Sequence, residues 1–230
     1  MKKITSIILL AFAVCFLSAC AAMRIITMPR NVDLNGYVPE TIRVPDRNFA
    51  MGKYEVTQAE FEHVMGYNKS RNEGNLRAPV DYVDWYEAER YCRRLTKFAR
   101  EQGVIKNDQE FRLPTLDEWQ YVCAAGTTTR YCKGESLRDL LDVAWISTNS
   151  GRVSHSVGKK EPNAWGFYDM LGNIWEWADA GDENEELAYF CGGGYNSNEA
   201  TCSIYEVRSI WKNRNKRYLG FRVVLTNVEK

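Results

Sequence analysis

The chain has 230 residues, of which 45% are hydrophobic and 26% are charged, proportions that are ordinary for a soluble globular domain. They exclude a disordered chain, a collagen-like repeat and a coiled coil. Thirty basic residues balance thirty acidic ones, so no global field favours nucleic acid or an acidic substrate.

The first twenty residues are predicted to be a lipoprotein signal peptide. Lys2 and Lys3 form a short positive end, and an almost unbroken apolar run occupies residues 7–17. That run has the length of a signal core and is short for a membrane-spanning helix. It ends in Leu-Ser-Ala-Cys, which resembles the bacterial lipobox, so we predict that Cys20 is diacylated. The alternative is an ordinary secretory signal in which Cys20 is incidental.

Beyond the signal, the pattern predicts a tether at residues 21–45 and one domain at residues 46–228. Pro29, Pro39 and Pro45 interrupt any regular element in the tether. No later run approaches the length of a membrane helix. We therefore expect an exported protein that is anchored by lipid to the bacterial cell envelope, at the outer membrane or the cell surface.

Cysteine and histidine usage restricts the chemistry. Five cysteines follow Cys20: Cys92, Cys123, Cys132, Cys191 and Cys202. Export permits disulfides, but an odd count leaves at least one thiol unpaired and the pairing open. Only His63 and His155 are present, so a multi-histidine iron or zinc site cannot be assembled.

Three helices are predicted from the same capping pattern. Thr57, Asp84 and Thr115 each stand three residues before a glutamate, which is the arrangement of a capping box. Apolar residues recur at helical spacing behind each cap. A strand-like stretch at 49–56 precedes them, and from Gly126 onward the helical periodicity is lost. The pattern indicates an α+β chain, with helices first and then loops and short extended pieces.

Four motifs follow one another along the chain. They are Met51-Gly52-Lys53-Tyr54-Glu55-Val56-Thr57-Gln58, the block from Phe111 to Trp119, the block from Asn163 to Trp177, and Gly192-Gly193-Gly194-Tyr195 with Leu219-Gly220-Phe221-Arg222. Together they resemble the sulfatase-modifying-factor domain of the formylglycine-generating enzymes, over residues 46–226. The resemblance implies a C-type-lectin-like fold of the α+β class, rich in loops, with a small antiparallel sheet and flanking helices.

The founding activity of that family is oxidation of a sulfatase cysteine to formylglycine with copper(I) and oxygen. The resemblance implies two thiols five residues apart, and soft Cu(I) suits such a pair. Here the second position is Cys202, but the first is Ser197, a hard hydroxyl that cannot replace a thiolate. Gly194 and Asn198 also depart from the family pattern. We therefore predict a degenerate oxidase site with no catalytic residue and no copper; the alternative is a formylglycine-generating oxidase.

The resemblance also implies a calcium site near the Gly-Asn-x-Trp-Glu-Trp turn. The matching positions are Asp169 and Glu176 by carboxylate, and Gly172 and Ile174 by backbone carbonyl. Hard oxygen ligands from a tight loop suit calcium. The alternative is that Glu176 only accepts hydrogen bonds from loop amides.

The segment 195–218 mixes aromatic and adaptable polar residues, as a binding surface does. The candidate ligand-binding residues are Tyr195, Ser197, Asn198, Tyr205, Arg208, Trp211, Asn213, Arg214 and Tyr218. One alternative is an irregular loop whose aromatics belong to the core. Another is a basic patch for nucleic acid, a partner that does not suit a lipid-anchored exported protein.

The same segment lies where the variable proteins of diversity-generating retroelements vary, and the chain resembles those proteins, including the Treponema variable protein, in fold. They are ligand-binding surface proteins. We therefore predict a surface-displayed lipoprotein that binds a protein or glycan through this segment, which is diversified in such relatives, and that has no oxidase activity. A further alternative is a fixed scaffolding lipoprotein of an envelope complex.

Overall fold

The computed structural model describes residues 33–72, 74–181 and 186–228. Cys20, the signal peptide and residues 21–32 of the predicted tether lie outside the described residues, so the lipid anchor stays a prediction. Within the described ranges, no helix has both the length and the apolar character that crossing a membrane requires.

The three predicted helices are confirmed as α1 (Gln58–Met65), α2 (Trp85–Glu101) and α3 (Leu116–Ala124). All three begin with the expected capping box. In α3, the Thr115 hydroxyl accepts from the Glu118 amide at 3.2 Å, and the Glu118 carboxylate accepts from the Thr115 amide at 2.9 Å. Two amides at the start of the helix are thereby satisfied by side chains.

A fourth helix, α4 (Leu137–Val143), corrects the prediction that helical structure stops near Gly126. It has a capping box in which aspartate replaces glutamate. The Ser136 hydroxyl accepts from the Asp139 amide at 3.2 Å, and the Asp139 carboxylate accepts from the Ser136 amide at 2.9 Å. The shorter acid performs the same function, so its presence three residues after Ser136 was the missed signal.

Short strands make up the rest of the regular structure. In the described ranges they are β1 (Thr41–Arg43), β2 (Phe49–Gly52), β3 (Gln109–Arg112), β4 (Trp175–Ala178), β5 (Leu187–Cys191), β6 (Val207–Trp211), β7 (Leu219–Gly220) and β8 (Val224–Asn227). They form two four-stranded sheets where the sequence suggested one small sheet.

The first sheet has the order β1-β2-β8-β3 and is antiparallel throughout. Its central strand β8 comes from the end of the chain and pairs Leu225 with both Ala50 and Phe111. The second sheet has the order β6-β5-β4-β7, and its β4–β7 pair is parallel, which the expected antiparallel sheet did not include. Strand β6 lies at the edge of this sheet.

The described end of the predicted tether is part of the folded domain. Strand β1 pairs Ile42 with Met51, and both Leu34 and Val44 are buried at 1% exposure. The backbone amide of Leu34 also donates to the Gln102 side chain at 2.9 Å. The domain therefore begins before residue 45, because these apolar side chains complete the core despite the prolines around them.

Two apolar cores fill the space between the helices and the sheets. One core packs α1 and α2 around Phe61, Tyr91 and Phe221, whose rings lie 5.3 to 6.4 Å apart between centroids. The other core surrounds Trp119 and contains four of the five described cysteines. All five described cysteines are buried and free. Residues of all four motifs contribute to these two cores.

Candidate functional site

The glycine-rich turn brings the two positions of the degenerate oxidase pair into one region. Gly193 has φ +79°, and a Cβ there would lie 2.9 Å from the Cys202 sulfur, so only glycine fits without displacement. The Ser197 amide donates to the Gly194 carbonyl at 2.8 Å, and the Ser197 hydroxyl accepts from the Gly194 amide at 3.0 Å. The serine oxygen therefore closes the turn by accepting from the Gly194 backbone amide three residues earlier.

Cys202 is a buried, protonated thiol. It is fully buried, and its sulfur donates to the Gly192 carbonyl at 3.1 Å. Burial raises the pKa of Cys202 well above its usual range, so the thiolate that binds a soft metal is disfavoured at neutral pH. With Ser197 committed to its turn, the pair lacks the two thiolates that copper(I) chemistry uses.

The predicted calcium ligand Glu176 is instead half of a buried ion pair. One of its oxygens accepts from Arg222 at 2.6 Å, and the other accepts from Arg222 at 2.6 Å and from Trp119 at 2.7 Å. The Arg222 guanidinium donates further to the carbonyls of Gly52 and Tyr168. Burial lowers the pKa of Arg222, but the carboxylates of Glu176, Glu55 and Asp169 together raise it above its usual value, so the guanidinium stays charged.

Asp169 and Glu55 complete this acid cluster, which we define as Glu55, Asp169, Glu176 and Arg222. One Asp169 oxygen accepts from the Gly158 amide at 2.6 Å, while the other is buried with no hydrogen-bond partner. Burial raises the pKa of Asp169 to about 6 and raises that of Glu55 further above its usual range, with repulsion between the carboxylates adding to both shifts.

The four predicted calcium ligands do not fit this arrangement. Both oxygens of Glu176 are taken by cationic and indole donors, and the guanidinium beside them opposes a second cation. Asp169 keeps one open oxygen. Together with the carbonyls of Gly172 and Ile174, that makes roughly half of the six to eight oxygen ligands that calcium takes. Among the described residues, no cluster of three or more histidine, cysteine or acidic side chains could hold a metal ion.

The candidate ligand-binding residues divide into a buried set and an exposed set. Tyr195 and Ser197 are each only 7% exposed, and the Tyr195 hydroxyl donates to the Arg217 carbonyl at 3.1 Å. Asn198 caps a short 3-10 helix at Glu199–Thr201, where its side chain accepts from the Thr201 amide. These residues shape the surface more than they present side chains to solvent.

The exposed candidates lie on and around β6. Tyr205 is 58% exposed and Trp211 is 51% exposed, high fractions for large aromatic side chains. Asn213 and Arg214 follow Trp211 in an exposed turn. Tyr205 and Trp211 therefore lie outside both cores, and their role in binding a ligand stays a prediction.

Four of the candidates meet in a cavity of about 200 Å³, here called the aromatic pocket. It is lined by Trp175, Phe190, Asn196, Ser197, Asn198, Thr201, Arg208 and Tyr218. The Arg208 guanidinium lies over the Trp175 ring, 5.0 Å from its centroid, and pairs with Glu206 at 3.2 Å. Tyr205, Trp211, Asn213 and Arg214 do not line this pocket.

A larger cavity of about 410 Å³, here called the arginine groove, shares Asn196 with the aromatic pocket. It is lined by Arg71, Asn72, Asp81, Arg152, Val153, Ser154, Tyr195, Asn196 and Arg217. Sequence reasoning missed Arg71 and Arg152. Arg217 stood inside the candidate segment, whereas Arg71 and Arg152 lie in distant loops that carry no motif.

Comparison with known proteins identifies what the chain is similar to. The family model described as "Sulfatase-modifying factor enzyme 1-like domain" matches residues 27–227. The chain is 28% identical over 255 residues to a protein named "Chaperone protein LppX" from Paenibacillus barcinonensis, covering 86% of this chain and 90% of that protein. It is 31% identical over 111 residues to the formylglycine-generating enzyme of Bos taurus, but this match covers 43% of the chain and only 26% of the enzyme.

Two solved structures share the fold of this chain. Treponema denticola variable protein 1 superposes with a TM-score of 0.70 at 24% identity, covering 81% of this chain and 91% of that one. PvdO from Pseudomonas aeruginosa superposes with a TM-score of 0.64 at 19% identity, covering 82% and 92%. At these identities the likeness establishes the C-type-lectin-like fold and nothing more specific.

Proposed function

Since this chain belongs to the sulfatase-modifying factor enzyme 1-like family, we propose that it is a non-catalytic member, an envelope lipoprotein that binds another exported protein. Cys20 carries the lipid, and the folded domain is held near the membrane by the residues that follow it. The observation that carries the proposal is that the two positions of the oxidase pair do not form a dithiol. The Ser197 hydroxyl closes the turn, and Cys202 is a single buried thiol.

The binding face is the aromatic pocket together with the exposed Tyr205 and Trp211. Rigid aromatic side chains supply contact area at low conformational cost, and they are frequent among residues that dominate binding energies. Arg208 lies between them along the chain, held over Trp175. Trp211 is three positions from Arg208 on β6, so its side chain leaves the strand on the other face from the pocket. The two half-exposed rings therefore extend the contact area for a protein partner beyond the pocket.

A protein is the favoured ligand over a glycan. The relative that matches along nearly its whole length is named a chaperone, and a chaperone acts on another protein. An anchored chaperone or scaffold requires a docking surface and no reactive centre, in agreement with the degenerate thiol pair. The partner is thus expected to be another exported protein.

The proposal is tested by comparing the full-length lipoprotein with its Tyr205→Ala/Trp211→Ala variant in the native envelope. Quantitative mass spectrometry of cross-linked, purified material should show one major partner, reduced about tenfold by the double substitution because both anchoring rings are lost. Leu137→Ala, which removes an exposed hydrophobic side chain from α4, is the matched control. Equal partner recovery from all three forms would contradict the binding face.

The oxidase alternative predicts a different outcome. An active oxidase would bind copper(I) through Cys202 and convert the cysteine of a sulfatase-type peptide to formylglycine. We expect neither stoichiometric copper(I) binding nor peptide conversion by the full-length protein, and the same result from Cys202→Ala. Conversion that is lost in Cys202→Ala would overturn the non-catalytic assignment.

A diversified receptor is the second candidate, favoured by the exposure of the aromatic residues in the segment 195–218. Deep sequencing of codons 190–225 in many clones of one strain distinguishes it from a fixed partner. Substitutions clustered at Tyr205 and its exposed neighbours, with a reverse transcriptase and a near-copy template beside the gene, would support diversification. An invariant segment without a template would support a single partner.

A further inference from the structure

The arginine groove concentrates three positive side chains and one aspartate, although the whole chain has equal numbers of basic and acidic residues. We propose that this groove binds an acidic segment of the partner protein, whose aspartate or glutamate carboxylates pair with Arg71, Arg152 and Arg217. This inference rests on the proposed function, because the groove is next to the aromatic pocket of the binding face. It specifies that the protein partner is acidic where it contacts the groove.

The three arginines come from three separate loops, and each is exposed while its backbone is fixed by a hydrogen bond. The Arg71 amide donates to the Asp81 carboxylate at 3.0 Å. Asp81 is itself buried, and its amide donates to the Ser70 hydroxyl at 3.1 Å. The backbone of Arg71 is therefore held in place at the edge of the groove.

Ser150 and Tyr195 hold the other two arginines. The Arg152 amide donates to the Ser150 hydroxyl at 3.0 Å, and that hydroxyl donates to the Tyr195 carbonyl at 2.7 Å. The Tyr195 side chain in turn donates to the Arg217 carbonyl at 3.1 Å. Arg152 has φ +62°, a left-handed conformation that a non-glycine residue keeps only where surrounding contacts maintain it. Three hydrogen bonds, of which the one between Ser150 and Tyr195 is buried, thus join the two loops through Tyr195.

This arrangement suits carboxylates. A guanidinium offers parallel N–H donors that match a carboxylate in a bidentate pair, and a fixed backbone reduces the entropy lost on binding. Asp81 is the one acidic residue among the lining residues of the groove. It is 2% exposed, and burial raises its pKa to about 6, so at neutral pH it is still mostly ionised and offsets one of the three positive charges, which leaves the groove lining net positive.

The groove and the aromatic pocket are neighbours that share Asn196 in their linings, and the lining of the pocket includes Arg208, Trp175 and Tyr218. An extended peptide could place carboxylates in the groove and one aromatic or aliphatic side chain in the pocket. Because a protein partner is favoured for the binding face, the positive charge of the groove points to an acidic peptide segment as its occupant.

Fluorescence anisotropy with the full-length protein in detergent tests the inference. The probe is a labelled peptide of alternating aspartate and glutamate with one central phenylalanine, and its reference is the same peptide with asparagine and glutamine. We expect the acidic peptide to bind about tenfold more tightly, or about 1.4 kcal/mol, with affinity falling as salt rises. Arg152→Gln and Arg217→Gln should each lower that affinity about fivefold.

Arg138→Gln is the matched control, because Arg138 is an exposed arginine on α4 outside the groove. Equal affinity for the acidic and amide peptides, or unchanged affinity in Arg152→Gln and Arg217→Gln, would overturn the inference. So would a sulfated oligosaccharide that binds in the groove where the acidic peptide does not.

The partner-capture experiment keeps the two proposals apart. If Tyr205→Ala/Trp211→Ala loses the partner while Arg152→Gln and Arg217→Gln retain it, the acidic-segment inference fails and the proposed function stands. If the partner is retained by all these variants, both fail. Loss of the partner in both sets of variants supports both.

Discussion

Two charged regions of this molecule use arginine in opposite ways. In the acid cluster, Arg222 is fully buried and donates to Glu176, Gly52 and Tyr168. In the arginine groove, the guanidinium groups face solvent while only their backbones are held by neighbours. The motif residues of the family therefore hold the fold together, whereas Arg71, Arg152 and Arg217, which lie outside the motifs, are available to contact a partner.

Breaking the buried pair should have the largest effect. Arg222→Met removes the cation and leaves three buried carboxylates without a counter-charge, so we expect the free energy of unfolding to fall by about 3–5 kcal/mol. Urea unfolding monitored by tryptophan fluorescence measures it. Arg43→Met, at an exposed position on β1, should change stability by less than about 0.5 kcal/mol. A small loss in Arg222→Met would mean that the cluster is not buried as described.

The acid cluster should also make stability depend on pH through Asp169. Its pKa is raised to about 6 in the folded state, so the folded protein binds a proton more readily than the unfolded chain. The associated stability is present at low pH and is lost as pH rises through about 6. Asp169→Asn keeps an acceptor for the Gly158 amide without the charge. We expect it to be about 2 kcal/mol more stable than wild type at pH 7.5.

The expected stability gain in Asp169→Asn should shrink as pH falls from 7 toward 4, which thermal unfolding across that range can follow. Parallel runs with EDTA and with excess calcium examine the metal question. We expect the two curves to coincide, because Glu176 is committed to Arg222. A calcium-dependent rise in Tm that disappears in Asp169→Asn would show instead that calcium occupies this turn.

The sequence carries much more of the acid cluster than of the arginine groove. Glu55, Glu176 and Arg222 all lie in the four motifs, and the capping boxes at Thr57, Asp84 and Thr115 are local patterns that the structure confirms. Even so, the pairing of Glu176 with Arg222 spans 46 residues and was not evident from either motif alone.

The arginine groove could not be derived from the sequence in the same way. Arg71 and Arg152 are isolated charges in loops without periodicity, and an isolated arginine is most often a solvated surface residue. The Arg152 loop is joined to Tyr195 by the Ser150 hydroxyl across 45 residues. The Arg71 loop is joined to the Arg152 loop by Asn72, whose side chain donates to the Ser154 carbonyl at 3.3 Å. Tertiary contacts of this kind are set by the packing of the whole domain, so no local pattern announces them.

Ser150→Ala is expected to have an intermediate effect on both stability and affinity for the acidic peptide. The substitution removes the donor to the Tyr195 carbonyl and the acceptor of the Arg152 amide, so we expect a loss of about 1–2 kcal/mol in stability. It should also weaken the acidic peptide about threefold by releasing the Arg152 loop, although Ser150 is buried below the groove. Ser209→Ala, an exposed serine on β6, should change neither quantity. Lower stability with unchanged peptide affinity would make Ser150 purely structural.

The smallest expected effect is at Asp81, where one buried carboxylate stands against the arginines. Asp81→Asn keeps an oxygen acceptor for the Arg71 amide but removes the one negative charge of the groove lining. Affinity for the acidic peptide should rise about twofold at neutral pH, a modest gain because solvent and salt screen the charge. Affinity for the amide peptide should stay constant, which separates charge from shape. Equal gains for both peptides would mean that the substitution reshapes the groove, and the electrostatic account of its selectivity would fail.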